Sequence, residues 1–355
     1  MKMERREYRV TFLTPAFLGD AEQKGRWRTP PFKALLRQWW RVVKAPEVGY
    51  DYRTLRVLEG QLFGDASEAF SMRSRVRLTL SDWRSGSASK LPNTGLVCHP
   101  EVNHTKMPYC PDGKPGRMVG ADLYLGYGPI GPKGLTHPPA IAAGDGNALC
   151  TSFPAHAMSE LTDALQLIHW FGAVGGRSRN GWGSLALDGE GVETSGALLD
   201  SGVGLQRFTR DLKECLALDW PHALGRDDRG PLVWKTEHQE SWSEVMKRLA
   251  EVKIRFRTAV PFGPKGDFGD RHVLAYPVTH HSTAWGGQKR LANPLRFKVV
   301  HSGDRHIGVA YHLPCAIPAT LKQPGVPNAS RQLTVWQKVH DVLDKTLTRL
   351  GGSGQ

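Results

Sequence analysis

The chain has no run approaching the ~20 uninterrupted apolar residues that a membrane span needs, which excludes a helical membrane protein. It has only five cysteines, Cys98, Cys110, Cys150, Cys215 and Cys315, odd in number and widely scattered. That excludes a disulfide framework, and reduced thiols are expected. Acid is short, with 34 Asp and Glu against 47 Lys and Arg and a formal charge of +13, which favours a polyanionic partner. Nucleic acid leads the candidates. An anionic membrane would call for a basic amphipathic helix with an exposed apolar face, and the helices expected here are core helices. No apolar h-region with a small-residue cleavage site follows the basic start, so a cytoplasmic location is expected. No Gly-Lys-Ser/Thr run is present to form a nucleotide-triphosphate loop.

What is present reads as a two-domain globular chain. Its 355 residues are 40% hydrophobic and 23% charged, too long for one small core and ordinary for two. Glu7 to Leu13 alternates as a strand that ends at Thr14-Pro15. Thr29 can cap a helix over Phe32 to Lys44, with proline acceptable in its first turn. Leu35, Leu36, Trp39, Trp40, Val42 and Val43 form its apolar face, and Lys33, Arg37, Arg41 and Lys44 a cationic one. Arg73 to Leu80 alternates as a half-buried strand with a basic face. From about 83 to 150 the chain is rich in Gly, Pro, Ser and Asn, apart from short strand candidates near Met118 to Tyr127, and reads as a long insertion.

Ser159 is expected to cap a helix with the stripe Leu161, Ala164, Leu165, Ile168 and Phe171, followed by a glycine run and a strand at Trp182 to Leu185. Gly189 to Gly204 is small and polar, placing a boundary between domains 1–195 and 196–355. In the second, Phe208 to Leu218 reads as a helix, and Ser241 with Glu244 makes a capping box for a helix through Leu249. Val252, Ile254 and Phe256 then alternate with cations like a strand. Strands are expected at Leu295 to Val300 and Ile307 to Leu313, then a last amphipathic helix from Leu333 to Leu350. Strand, helix and strand recur in each half without a parallel βαβ rhythm, so the fold class is α+β, built from ferredoxin-like units.

Two constellations carry chemistry. Lys24, Arg26, Arg28, Lys33, Arg37, Arg41 and Lys44 form a cationic stretch with no acid among them, as a phosphate track requires. Trp27 sits within it, where its ring is expected to stack on an unpaired base. Trp39 and Trp40 are expected in the core on helical spacing. The second constellation runs from Gly172 to Gly183, where Gly175 and Gly176 allow close backbone approach and Arg177, Ser178 and Arg179 supply charge and a hydroxyl for phosphate.

Two weaker clusters complete the inventory. Cys98, His99, His104 and Cys110 are zinc-ligand types, but their spacing matches neither common pattern, so ordinary loop residues are expected. His280 and His281 suggest an acid–base pair for RNA cleavage, with a surface or nucleic-acid contact expected instead.

The runs Leu13 to Asp20 and Arg28 to Arg41, with the Gly175 to Gly183 loop, resemble the RAMP superfamily, and within it the first RAMP subunit of the type III-B CRISPR Cmr effector complex. Pro294 to Val299 resembles that family's late strand, while the 83–150 stretch is longer and less regular than the family pattern. The resemblance implies two ferredoxin-like, RRM-related domains and a non-catalytic RNA-binding role in antiviral defence. The subunit would contact guide RNA near its 3′ region and help capture target RNA beside other RAMP subunits, with no cofactor. Neighbouring subunits of such complexes cut with a loop aspartate, and Asp20 occupies a comparable loop. An endoribonuclease is therefore the alternative, although a lone loop aspartate is more often a turn residue.

Overall fold

Sixteen residues from Thr29 to Lys44 form the first helix because Pro30 and Pro31 suit its opening turn, the apolar residues recur every three or four positions, and Arg41 and Lys44 meet the negative end of its dipole. Arg28, and not Thr29, occupies the N-cap position. A computed structural model describes residues 2–67, 70–202, 204–264, 266–278, 285–286 and 288–352; His280 and His281 lie outside the described residues. The fold is mixed α/β with several antiparallel sheets. Among the described residues, no helix is long and apolar enough to cross a membrane. The chain divides into two units: Met1–Pro92, Gly126–Asp200 and Lys298–His306 in the first, and Asn93–Leu125, Ser201–Phe297 and Ile307–Gln355 in the second.

In the first unit four strands lie in the order Leu185–Asp188, Met3–Phe12, Gly146–Pro154, Arg77–Leu80, every adjacent pair antiparallel. The first strand turns Tyr8, Val10 and Phe12 inward and leaves Arg5, Glu7 and Arg9 exposed, as a period of two requires. One side of the sheet packs on the Thr29–Lys44 and Met158–Phe171 helices, where Leu35, Leu36, Leu165 and Ile168 meet Leu149 and Leu187. Trp39 and Trp40 are core residues, as their spacing predicts; Trp39 packs on Phe171 with ring centroids 5.7 Å apart. The second of these helices starts at Met158 after a short 3-10 turn, so Ser159 is inside it and is not its cap. The strand after the glycine run, expected at Trp182 to Leu185, runs from Leu185 to Asp188.

A second four-stranded sheet has the order Leu295–Ser302, Arg305–His312, Val233–Lys235, Thr348–Arg349, of which the turn end, Lys298–His306, counts with the first unit. In the second unit the Ser241–Glu244 capping box is present, but its helix runs from Trp242 to Thr258. Val252, Ile254 and Phe256, which alternate like a strand, are helical and buried. Val245, Leu249, Val252 and Phe256 form one stripe, Met246, Ala250 and Ile254 the next, and reading across both mimics a period of two. The helix expected from Phe208 is replaced by a 3-10 turn, a strand at Thr209–Asp211 and one helical turn, Leu212–Cys215, whose cap is Asp211.

The reduced state expected for all five cysteines is corrected at one pair. Strands Leu96–His99 and Arg117–Gly120 pair antiparallel, and a bridge from Tyr109 to Arg117 brings Cys110 beside Cys98, where the two form a disulfide. Their sulfurs are thus spent on each other and ligate nothing. Among the described residues no cluster of three or more His, Cys, Asp or Glu side chains is arranged to hold a metal ion. The helix Ala121–Gly126 follows the second of these strands, where a further strand was expected.

Candidate nucleic-acid interface

The two constellations are joined by the backbone of Thr14 to Leu18. Gly183 N–H donates to the Pro15 carbonyl and Gly176 N–H to the Phe17 carbonyl, each at 2.9 Å, and the next carbonyl, Leu18, accepts from Arg26 N–H at 3.0 Å. Thr14 locks the base: its hydroxyl donates to the Gly181 carbonyl at 2.8 Å and accepts from Ser184 N–H at 3.0 Å. The glycines are needed for this seam. Gly175 has φ +94°, and a Cβ there would stand 2.7 Å from the Phe17 carbonyl oxygen, while at Gly176 it would be 3.1 Å from Pro129 Cγ. The absence of side chains at both positions therefore has an internal cause, where the sequence pointed to phosphate.

The loop above the seam is a series of tight turns, Ser178 N–H to Gly175, Asn180 N–H to Arg177 and Gly181 N–H to Ser178. Arg177 adopts φ +58°, in the left-handed region. It is exposed, as is Arg179, with Ser178 partly covered between them. Arg177 Nε donates to the Tyr127 carbonyl at 2.6 Å, which sets an aromatic ring with 67% exposure beside this loop. Tyr127 ends a strand candidate in the sequence, but nothing in that pattern links it to Arg177, and only the fold brings the two together.

Below the loop, the Met158–Phe171 helix ends on a buried cation. Lys298 is fully buried and its Nζ donates to the carbonyls of Ile168 at 3.1 Å, His169 at 2.8 Å, Gly172 at 2.7 Å and Leu185 at 2.6 Å. Burial pushes the Lys298 pKa well below its ordinary value, whereas the surrounding carbonyls, which have no helical partner, favour its charged form at the negative end of the helix dipole. The late strand that resembles the family's thus anchors the base of the glycine loop.

Lys24 and Arg26 are exposed on the adjoining hairpin, closed by a bridge between Gly19 and Gly25. Asp20 shapes that hairpin. Its Oδ1 accepts from Glu22 N–H at 3.1 Å and Lys24 N–H at 2.9 Å, the behaviour of an aspartate in a turn. Trp27, expected to stack on a base, is instead fully buried. Its Nε1 donates to Asp145 at 3.1 Å, and its ring stacks on Phe32 at 5.9 Å and packs on Phe12 at 4.8 Å. It presents no face to a ligand.

It is similar to solved CRISPR effector proteins. The crystal structure of Cmr1 from Pyrococcus furiosus aligns at 15% identity over 95% of this chain and 96% of that one, with a TM-score of 0.45. A chain in the cryo-EM structure of the type III-B Cmr-beta bound to cognate target RNA aligns at 11% identity over 96% and 100%, with a TM-score of 0.46. A chain of a type IV-B CRISPR complex aligns at 15% identity over 52% and 90%, with a TM-score of 0.29. No protein-family model matches the chain, and no curated protein matches its sequence.

The cationic stretch is less open than its sequence suggests, because the fold supplies acid from elsewhere. Glu59, nearly buried, takes Arg37 Nε at 2.8 Å and Arg41 Nη2 at 2.7 Å. Burial alone would raise the Glu59 pKa, but Arg41 and then Arg37 hold it below its ordinary value. Lys44 meets Glu47 and Glu160, and Lys33 Nζ donates to the Ser74 hydroxyl at 2.7 Å. Arg28 is partly covered, with a buried Nε that has no hydrogen-bond partner among the described residues. The exposed cations of the two constellations are thus Lys24, Arg26, Arg177 and Arg179.

Proposed function

We propose that this chain is a non-catalytic RNA-binding subunit of a type III CRISPR effector, placed beside other RAMP subunits. It would contact guide RNA near the 3′ region and help capture complementary target RNA. The observation that carries this reading is the seam between Phe17 and Gly176. Two stretches that each resemble the family's motifs meet in one surface, which presents Lys24, Arg26, Arg177, Arg179 and the open ring of Tyr127. Cations suit a phosphate backbone and an exposed ring suits an unpaired base. We read both four-stranded sheets as ferredoxin-like, RRM-related RAMP folds. Each sheet places its fourth strand beside the first, then the third, then the second, with a helix before the second and before the fourth, and this supports the reading.

Replacing Arg26 and Arg177 together by Glu tests the surface in a salt titration of guide RNA binding to the full chain. Weaker binding is expected, with a slope of log affinity against log salt shallower by about 1.4 for two lost phosphate contacts. An unchanged slope would count against the interface. Asp20→Ala in a reconstituted effector should leave every target-cleavage product in place, because its carboxylate serves the turn. Loss of one product with target binding intact would make the chain an endoribonuclease.

A further inference from the structure

The first unit also holds an open cleft of about 480 Å³ that the loops do not reach. Met3 at the start of the first strand, Gln61, Ser152 on the neighbouring strand, and the run Met72 to Arg77 except the buried Val76 line it. Along that run Arg73, Arg75 and Arg77 are exposed while Val76 is buried and Ser74 partly covered. The regular strand begins only at Arg77, and the backbone bends at Arg75, so the alternation here is one of exposure, with the arginines facing solvent and Val76 facing the core. Arg77 then enters the sheet opposite Ser152, and Ser152 is opposite Arg5 of the first strand. Opposed residues share a face, so exposed Arg5 continues the row.

No acidic residue lines the cleft. Among the described residues, none of these four arginines has an ion pair, whereas Arg41 and Arg84 in the same unit are matched by Glu59 and by Asp82 and Asp145. Lys33 adds charge behind the wall through its bond to Ser74, and its own pKa is lowered by burial and then by Arg37. Four exposed arginines without an ion pair, neighbouring two methionines of the cleft wall, suit a chain of phosphates with an apolar base edge lying on thioether surface.

We propose that this cleft is a second track for single-stranded RNA, with Arg5, Arg73, Arg75 and Arg77 on successive phosphates and Met3 and Met72 beneath a base. It rests on the RNA-binding function proposed above and adds a surface separate from the loops. A cleft of this volume also fits one nucleotide, so free nucleotide is the other source of the same phosphate chemistry.

The test compares three full-length proteins: wild type, the triple variant Arg73→Ala, Arg75→Ala and Arg77→Ala, and the loop variant Arg26→Glu with Arg177→Glu. Each is titrated with a short single-stranded RNA across a salt series and photo-crosslinked to the same RNA carrying 4-thiouridine. The triple variant should keep its thermal midpoint, since the side chains are exposed, and show a salt slope shallower by about 2. Wild-type adducts should map to Met72–Arg77 and survive excess AMP. If the triple variant keeps the wild-type slope and no adduct maps there, while the loop variant loses binding, the cleft proposal is overturned and the loop interface stands. If neither variant changes the slope, both fail. Adducts abolished by AMP would assign the cleft to nucleotide and overturn the RNA track.

Discussion

The carbonyl of Phe17 accepts from the N–H of Gly176, and the residue before it, Gly175, cannot carry a Cβ without meeting the same oxygen at 2.7 Å. The seam therefore resists substitution for reasons of packing. Gly175→Val should lower the urea midpoint by an amount equivalent to about 2 kcal/mol, from a branched side chain at positive φ and a backbone clash. Arg177→Ala, on the exposed turn above, should change stability by less than about 0.5 kcal/mol while weakening RNA binding. A Gly175→Val protein as stable as wild type would show that the two loops are not joined in solution.

Glu59→Gln keeps the shape of the side chain and removes the charge held by Arg37 and Arg41. Their side chains are 37% and 39% exposed, so water recovers part of the loss and about 1–2 kcal/mol of destabilisation is expected. The two released arginines should at the same time steepen the salt dependence of RNA binding. Chemical denaturation and a salt titration on one protein sample check both signs.

Four of the buried histidines have depressed pKa values, and acid sensitivity of the fold is the expected consequence. Burial, and then the charge of Lys298, lowers His169 to about 4, and burial lowers His222 to about 4. His312 and His340, 3.0 Å apart through Nδ1 and Nε2, are both pushed well below the usual value, by burial first. A histidine depressed on folding contributes stability that is complete above its unfolded value near 6.5 and is lost as pH falls toward the folded value. Thermal midpoints should be flat above pH 7 and fall most steeply between about pH 6 and 4, by up to about 1.4 kcal/mol per pH unit for each such group. His169→Gln should make that fall shallower; an unchanged fall would remove His169 from the set.

The Cys98–Cys110 bond closes a loop of sequence separation 12. Replacing both residues by Ser should destabilise the second unit by about 2–3 kcal/mol through the freed chain. A reductant should reproduce the shift in the wild type and have no effect on the variant. Equal melting of the wild type with and without reductant would show that the bond contributes nothing.

Local pattern was enough where one face of an element is buried and the other wet. The first strand, the Thr29–Lys44 helix, the Ser241 capping box and the core positions of Trp39 and Trp40 were legible for that reason. It failed at Val252 to Phe256, where a helix buried on two adjacent stripes imitates a strand. The candidate interface was legible as two motifs but not as one surface, because hydrogen bonds accepted by the Phe17 and Leu18 carbonyls leave no trace in composition. Trp27 shows the converse limit. Its cationic neighbours suggested an exposed ring, but Asp145, far along the chain, holds its indole N–H inside. Glu59 hid in the same way, as an acid outside the basic stretch that the fold brings to Arg37 and Arg41.

The ammonium of Lys298 gives the four carbonyls around the end of the Met158–Phe171 helix a partner that is made late. A ribosome adding about 5–20 residues per second needs tens of seconds to reach it, and until then that helix end has only water to satisfy it. A nascent chain stalled or truncated before Lys298 would present the glycine loop on an unfinished base, however complete its own residues were. Translation order thus makes the Gly175–Gly183 loop dependent on a residue made more than a hundred positions after it.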